Sequence, residues 1–431
     1  MSLRVEGTLV DPRPYALSRV QGVGGYLRPG CAAFIIAALA SSTAHASWPT
    51  LDDVARIAQA RAPALAEARG QLAAANASVF GARVSPVQNP YVEVFTDAGK
   101  FTKDVQVQAN VWVPIEITGQ RGARINEAEH LVKLKSRSLT ETRARVLGEC
   151  VTAYGELMVL SARLEQAKKQ EDDSRAELDF FSGKLAAQDT TLYEKSGAEA
   201  ELGRWVQQRV ELEVQLVQAR SRLAILLGKL TIEAPPQNSH LYVPQLRIAF
   251  TNEQARDLAK RSPLVGALTT EVEYWTANRD RAVAERNGPV NFIVSLGRGD
   301  SGETRYGGGL SWTFPLLQRN QGPIAKADAE RARTIEVKQT VEQVLESRVL
   351  SLYEMMHTTQ DAVKSIDASS IPAAERVVDA ATQLWKAGKT DPLKVWIARR
   401  DLASARARRL DLVAAGFRTY GELAVVRGEL P

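Results

Sequence analysis

The chain has 431 residues, enough for two or three domains of ordinary size, and a formal net charge of +5. This charge is too small to indicate a nucleic-acid partner. Aromatic residues make up only 6% of the chain, while alanine, leucine, arginine, glutamate and glutamine are abundant. That composition is typical of long helices and coiled coils.

The first 46 residues have the pattern of a secretory signal peptide. Arg28 precedes an apolar run at 31–40, and the small residues Ala44-His45-Ala46 offer a cleavage site before Ser47. The run is too short to span a bilayer as an anchor. The segment carries four arginines and two acidic residues, so its removal lowers the net charge from +5 to +3. We then expect one remaining cysteine, Cys150, and no intrachain disulfide.

Two helices are predicted before the first strand. The first is capped by Thr50 or Asp52 and ends near Pro63, and the second is rich in alanine and reaches about Val84.

Residues 91–113 predict a β-hairpin that leads into a very long helix. Its second arm has valine or alanine at every odd position from 105 to 113, whereas positions 106, 108 and 110 on the other face are glutamine or asparagine. Because proline cannot donate to a ladder, Pro114 is expected to end this arm. A helical pattern then runs to a turn near Gly183, about 90 Å at the rise of an α-helix. A second helix returns to Gly228.

The same order recurs about two hundred residues later. A hairpin is predicted at 291–314 and is ended by Pro315. A second long helix follows and ends near Gly388, and a last helix runs from Pro392 to about Val426. We therefore predict a two-fold internal repeat. Residues 47–230 form the first copy, 231–248 a linker and 249–431 the second copy.

Four strands are too few to close a barrel, and unpaired backbone groups in lipid cost several kcal/mol each. Three chains would supply twelve strands, a number within the range of outer-membrane barrels. Apolar strand faces would then contact lipid, and the glutamine, asparagine, serine and threonine faces would line a water-filled lumen. The lipid-facing candidates are Val107, Val111, Tyr306, Leu310, Trp312 and Phe314. A soluble sandwich also alternates, but it has no need of helices about 90 Å long.

The two-fold repeat of helix, hairpin and long helix pair, with a glycine turn at each far end, resembles the outer-membrane efflux family of TolC-type channel-tunnels. The resemblance implies a mainly α-helical chain with a membrane β-barrel, assembled as a homotrimer. Its twelve-stranded barrel would lie in outer-membrane lipid, above an α-helical tunnel in the periplasm. The implied partners are a periplasmic adaptor (membrane fusion) protein and an inner-membrane transporter of the RND type. No cofactor is implied.

Residues 113–124, V-P-I-E-I-T-G-Q-R-G-A-R, resemble the strand-to-helix junction of the cation-efflux (cobalt-zinc-cadmium) branch of that family. The branch pattern is roughly P-[IL]-E-[LI]-G-G-K-R-x-x-R, from which Thr118 and Gln120 depart. The junction candidates are Pro114, Glu116, Gly119, Arg121, Arg124 and Pro315. The branch implies a passive exit duct for heavy-metal or other cations. A duct for drugs or for type I protein secretion remains the alternative within the family.

By the same resemblance, the turns near Gly183 and Gly388 form the periplasmic tip that meets the adaptor. The tip candidates are Phe180, Gly183, Trp385, Gly388 and Thr390. Asp189 fits an acidic position that helps to hold the tip shut, while Asp391 is displaced from the equivalent position. A plainer interpretation makes both glycines helix C-caps and both aspartates N-caps.

No catalytic or metal-binding pattern emerges from the sequence. His130, His240 and His357 are far apart, and there is no Cys-x-x-Cys. We therefore expect no enzymatic activity, no metal site and no nucleic-acid partner. The alternative from another class is a periplasmic coiled-coil scaffold or adaptor without a barrel, and the two alternating hairpins count against it.

Overall fold

The computed structural model describes residues 48–97, 105–229, 232, 235, 241–245, 251–299 and 301–431. The expected leader, the loop of the first hairpin and most of the linker lie outside the described residues. The elements, in chain order, are α1 (Leu51–Arg61), α2 (Pro63–Ala82), β1 (Tyr91–Asp97), β2 (Gln106–Ile115), α3 (Gln120–Ala186), α4 (Leu192–Leu226), α5 (Asn252–Arg261), α6 (Pro263–Ala284), β3 (Val290–Arg298), β4 (Thr304–Trp312), α7 (Gln321–Ser365), α8 (Ile371–Lys386) and α9 (Pro392–Arg427). The predicted helices and hairpins are present in the predicted order.

The N-terminus of α1 is held by a capping box. The Thr50 hydroxyl accepts from the N–H of Asp53 at 3.2 Å, and the Asp53 carboxylate accepts from the N–H of Thr50 at 3.2 Å. Thr50 is therefore the N-cap, rather than Asp52. Thr251 and Gln254 form the same box at the start of α5.

Helix α3 packs along much of its length against other helices. It has 67 residues, a length of about 100 Å at 1.5 Å per residue. At Gly148 it touches α9 so closely that a Cβ atom would lie 2.6 Å from the carbonyl oxygen of Gly421. Cys150 is free and buried here, and desolvation raises the pKa of its thiol to about 12. No described helix is long and apolar enough for a membrane span.

The second long helix is interrupted, contrary to the prediction of one continuous helix. Between α7 and α8, residues Ile366–Ser370 form a π-helical turn, and the N–H of Ile371 bonds to the carbonyl of Ile366 five residues back. Pro372 follows at once. Its ring has no N–H and crowds the carbonyl four residues earlier, so a regular α-helix cannot pass through this point undisturbed.

The four strands form one antiparallel sheet in the order β1-β2-β3-β4. The two hairpins are thus joined through β2 and β3. The prediction that Pro114 ends its strand is wrong, because β2 continues to Ile115. Proline cannot donate, but its carbonyl still accepts, here from the N–H of Gln88 at 2.9 Å. Strand β4 ends at Trp312, so Phe314 and Pro315 lie beyond it.

Candidate functional site

One face of the sheet carries apolar side chains from all four strands. Val111 is paired with Val92 on one side and with Val294 on the other. Because directly opposed residues project on the same side of an antiparallel sheet, the register collects these side chains on one face. The apolar face comprises Val92, Val94, Val107, Ala109, Val111, Val113, Phe292, Val294, Leu296, Tyr306, Leu310 and Trp312. Tyr306 is 89% exposed in the single chain. Five of the six predicted lipid-facing residues share this face.

The opposite face is more mixed than the alternation suggested. Gln108 donates to the side chain of Asn110 at 2.9 Å, and Ser295 is paired with Asn110 on β3. The same face also carries Tyr91 and Trp112, whose rings stack with centroids 5.7 Å apart and planes within 5°. This stacked pair was missed because it breaks the polar pattern only at the end of the strand.

The sheet has two open edges in the part of the chain that is described. There, β1 pairs only with β2, and β4 pairs only with β3. Each edge therefore presents backbone N–H and C=O groups along one side of a strand, which is a template for pairing with another chain.

At the junction between β2 and α3, two arginines cap the C-terminus of α2. The guanidinium of Arg121 donates to the carbonyl of Val84 at 3.0 Å, and that of Arg124 donates to the carbonyl of Ala82 at 3.2 Å. These carbonyls lie at or just past the C-terminus of α2, where cations are favoured. Glu116, buried to all but 7% of its side chain, pairs with Arg124 at 2.8 Å.

The entries to the two long helices use the same backbone geometry. Gly119 and Asn320 are the N-caps of α3 and α7 and have φ values of 81° and 58°. In each case the following glutamine, Gln120 or Gln321, accepts with its side-chain oxygen from an N–H two residues earlier. Gln120 also donates to the carbonyl of Asn287 at 2.7 Å, which ties α3 to the end of α6. Asn320 could have been found as a residue that tolerates positive φ.

The chain reversals at the far ends of the helices are two copies of one turn. Helix α3 continues through Gly183 to Ala186, so the interpretation of Gly183 as a helix C-cap is wrong, while the predicted turn forms a few residues later. Gln188 takes the left-handed conformation instead, with φ 62°, as Gly388 does with φ 70°. In both turns this residue and the next one donate to carbonyls three and five residues back. That is the Schellman arrangement, whose hydrogen bonds hold even a non-glycine residue at positive φ.

The caps that follow these turns differ from the sequence interpretation at one position. Asp391 caps α9 by accepting from the N–H two residues later at 2.7 Å, as predicted. The other helix, α4, is capped by Thr191 in a capping box with Glu194. Asp189 is therefore not the N-cap. Its carboxylate is largely exposed and lies 3.8 Å from the ammonium group of Lys184.

An aromatic cluster joins three helices just before the turns. The rings of Phe180 on α3 and Trp385 on α8 lie 5.7 Å apart, edge to face. Phe181 contacts Trp385 and also Trp396 on α9, with centroids 5.9 and 6.2 Å apart. The structure thus brings together the predicted tip residues Phe180 and Trp385. It adds Phe181 and Trp396, which were not predicted. Thr390 is half-buried in the turn between α8 and α9.

Two carboxylates on neighbouring helices hold successive arginines of α9 near this cluster. Glu177 on α3 accepts from the indole of Trp396 at 3.0 Å and pairs with Arg399. Glu201 on α4 accepts from Arg400 at 3.1 Å, and its side chain is only 4% exposed. Carboxylates buried this far need a partner, so the pairs attach α9 to both α3 and α4.

The family of the chain follows from comparison with known proteins. A family model described as "Outer membrane efflux protein" matches residues 244–419. The cobalt-zinc-cadmium resistance protein CzcC of Cupriavidus metallidurans is 25% identical over 359 residues, which cover 81% of this chain and 82% of that protein. The chain is thus similar to the outer membrane efflux protein family, through the family model over residues 244–419 and through CzcC over most of its length. The protein is located in the outer membrane, with its helical part in the periplasm.

Solved structures with the same fold are outer-membrane channels or membrane proteins. A membrane protein from Pseudomonas aeruginosa superposes with a TM-score of 0.73 at 15% identity, covering 88% of this chain and 90% of that one. The open outer membrane channel MtrE of Neisseria gonorrhoeae has a TM-score of 0.71 at 16% identity, over 88% and 89% of the two chains. The outer membrane protein VceC of Vibrio cholerae has a TM-score of 0.69 at 17% identity, over 88% and 97%.

Proposed function

We propose that this efflux family member is the passive exit duct of a tripartite pump and acts as a homotrimer. The observation that carries the proposal is a four-stranded sheet with one apolar face and two open edges, β1 and β4. Open sheet edges are not tolerated in lipid, because each unsatisfied backbone group costs several kcal/mol. If β1 of one copy pairs with β4 of the next, three four-stranded sheets close into twelve strands.

In this assembly the apolar face contacts lipid and the mixed face lines the lumen. The exposed Tyr306, Leu310 and Trp312 then belong to the membrane-facing surface. The two-fold repeat of the chain gives each copy two hairpins for the barrel and two helical hairpins for the tunnel. The tips at Gln188 and Gly388 meet the periplasmic adaptor, which connects the duct to an inner-membrane transporter of the RND type.

The test of this assembly is chemical cross-linking between the open edges. A chain with one cysteine replacing Glu93 on β1, and a second replacing Gly307, Gly309 or Ser311 on β4, should form covalent dimers and trimers on oxidation. The protein should also be recovered from the outer-membrane fraction as a heat-modifiable trimer. Recovery as a soluble monomer, with no cross-linked ladder for any of the three pairs, would contradict the duct and favour a periplasmic scaffold.

We further propose heavy-metal or other cations as the cargo. This rests on the similarity to CzcC and on the junction at Glu116, Arg121 and Arg124, which follows the pattern of the cation-efflux branch. A strain that lacks the protein should become sensitive to cobalt, zinc or cadmium salts and recover when the gene is restored. Sensitivity to drugs alone, or loss of a secreted protein alone, would instead support the alternative ducts of the same family.

A further inference from the structure

Below the paired strands β2 and β3, the helices that flank them also touch. The side chain of Gln120, at the start of α3, donates to the carbonyl of Asn287 at 2.7 Å. The Thr118 hydroxyl lies 3.5 Å from the carbonyl of Ala284, the last residue of α6. The entry to one helix is therefore covered by the end of the helix that precedes the neighbouring strand. We call this contact the internal joint.

The turn between β4 and α7 also leads a strand into a long helix, but the described chain leaves it largely uncovered. Leu316 and Leu317 are 73% and 88% exposed. The turn is ordered locally, because the N–H of Leu316 donates to the carbonyl of Phe314 at 2.9 Å and the guanidinium of Arg319 donates to the carbonyl of Leu316 at 3.2 Å. A folded turn thus holds two large apolar side chains outward. We call residues 314–317 the apolar turn.

A second exposed apolar patch lies on the opposite edge of the described chain, where α2 leads into β1. The N–H of Gln88 donates to the carbonyl of Pro114, and the N–H of Glu116 donates to that of Pro86, both at 2.9 Å. The segment between α2 and β1 is therefore fixed to the end of β2. The α2 patch consists of Phe80, which is 84% exposed, and of the exposed side chains of Val84 and Val87.

The proposed trimer brings the apolar turn and the α2 patch to the same place. Strand β1 begins at Tyr91 and strand β4 ends at Trp312. Antiparallel pairing of β1 with β4 of the next copy puts these two strand ends side by side. The residues just before β1 and just after β4 then lie next to each other, as the corresponding segments do at the internal joint.

The level of the apolar turn favours protein over lipid as its cover. The rings of Trp312 and Phe314 lie 4.6 Å apart, and aromatic side chains of outer-membrane barrels gather at the membrane–water interface. Leu316 and Leu317 follow this pair toward α7, so they lie on the periplasmic side of the hydrocarbon core. Apolar side chains there are stabilised by burial against another apolar protein surface.

We propose that the apolar turn of one copy is seated against the α2 patch of the next, in an intersubunit joint that closes the wall where the sheet meets the helices. The internal joint is made by the hydrogen bonds of polar side chains, whereas this one is apolar. Apolar contact is non-directional, which suits two surfaces that meet only after each chain has folded. The inference rests on the proposed function, because it needs β1 and β4 of different copies to pair.

Disulfide cross-linking of the full chain in outer-membrane vesicles tests the contact. Leu317→Cys combined with a cysteine at 80, 84 or 87 should give covalent dimers and trimers on oxidation for at least one of the three pairs. Leu317→Cys combined with Ile117→Cys is the matched control, because Ile117 is also exposed but follows β2, which is not at an open edge. The control pair should give no ladder. The native Cys150 is buried.

A charge placed in the joint tests its contribution to assembly. Leu317→Asp should lower the amount of heat-modifiable trimer about tenfold, because a carboxylate without a partner is unfavourable at an apolar contact. Gln318→Asp changes the neighbouring exposed residue and should leave the trimer unchanged. Adding Val84→Lys to Leu317→Asp should restore most of the trimer, since the two charges then pair across the joint. A residue needed only for the fold of its own chain would not be rescued in this way.

The outcomes separate the joint from the assembly itself. If Glu93 cross-links to β4 as the trimer requires, while none of the three pairs with residue 317 does, the joint is overturned and the trimer stands. If neither set cross-links, the assembly fails and the joint falls with it. A fluorophore on Leu317→Cys that is quenched by brominated phospholipid would show that lipid covers the turn, and would also overturn the joint.

Discussion

At the scale of single residues, the two chain reversals place different residues in the same left-handed backbone conformation. Both need a left-handed backbone, and Gly388 adopts it without steric cost while Gln188 does not. Gln188 is held there by the pair of hydrogen bonds that close the turn, and the next helix is secured by the capping box of Thr191 and Glu194. The two turns therefore share a backbone conformation and not a residue.

The same substitution should have opposite effects at Gly388 and Gly183, because Gly388 has a positive φ and Gly183 lies inside α3. Gly388→Ala should destabilise the second turn by about 1 kcal/mol, because φ 70° is unfavourable for a residue with a Cβ. Gly183→Ala should stabilise α3 by about 1 kcal/mol, because alanine is the better helix former. Neither added methyl meets an atom within 4 Å. The midpoint of thermal loss of helical circular dichroism should fall for the first variant and rise for the second. Equal shifts would show that the backbone assignment at Gly388 is wrong.

At the scale of elements, the sheet shows how register turns four separate patterns into one surface. Strands β1 and β2 alternate, and so do β3 and β4, but only the pairing of β2 with β3 puts the apolar sets of both hairpins on the same side. A slip of one residue between them would place Val294 opposite Asn110 and mix the two faces.

Adjacent residues of β3 test this assignment most directly. Val294→Arg puts a charge on the apolar face and should cost roughly 2–4 kcal/mol if the position is near the bilayer midplane. Ser295→Arg puts the same charge on the mixed face, toward the lumen. The amount of heat-modifiable trimer in the outer membrane should drop sharply for the first variant and stay near normal for the second. Equal amounts from both would contradict the assignment of the two faces.

At the scale of the whole described chain, α3 and α9 make close backbone contact although they lie far apart in the sequence. Gly148 and Gly421 face one another, and a Cβ on Gly421 would lie 2.6 Å from the carbonyl oxygen of Gly148. Gly155 makes a second such approach, to the ring of Phe417. Backbone atoms cannot retreat as side chains do, so Gly148 and Gly421 exclude any larger residue.

A leucine at the first of these contacts should therefore prevent assembly. Gly421→Leu should cost about 3 kcal/mol or more, as overpacking in a dense core does, and trimers should be missing from the outer membrane. Gly203→Leu is the matched control, because Gly203 lies on the exposed side of α4 with no atom within 4 Å of an added Cβ. Normal assembly of Gly421→Leu would mean that α3 and α9 are not packed this closely.

Local patterns in the sequence determined most of the elements. Strand alternation, the threonine before α1, the prolines that open α2, α6 and α9, and the return of the same order after two hundred residues all depend on neighbours a few positions apart. Local rules failed at Pro114 and at Gly183. Strand β2 passes through Pro114 because Gln88 uses its carbonyl, and α3 passes Gly183 because the turn forms at Gln188.

Only the tertiary structure decided which elements meet. Three kinds of contact join residues more than thirty positions apart. They are the pairing of β2 with β3, the hydrogen bonds of Arg121 and Arg124 to the end of α2, and the ion pair of Arg409 with Asp367. A charged side chain on a helix can lie in solvent or bind any of several carbonyls, and the local sequence is the same in either case. Its partner is set by the packing of whole helices, which minimises exposed apolar surface over the entire chain.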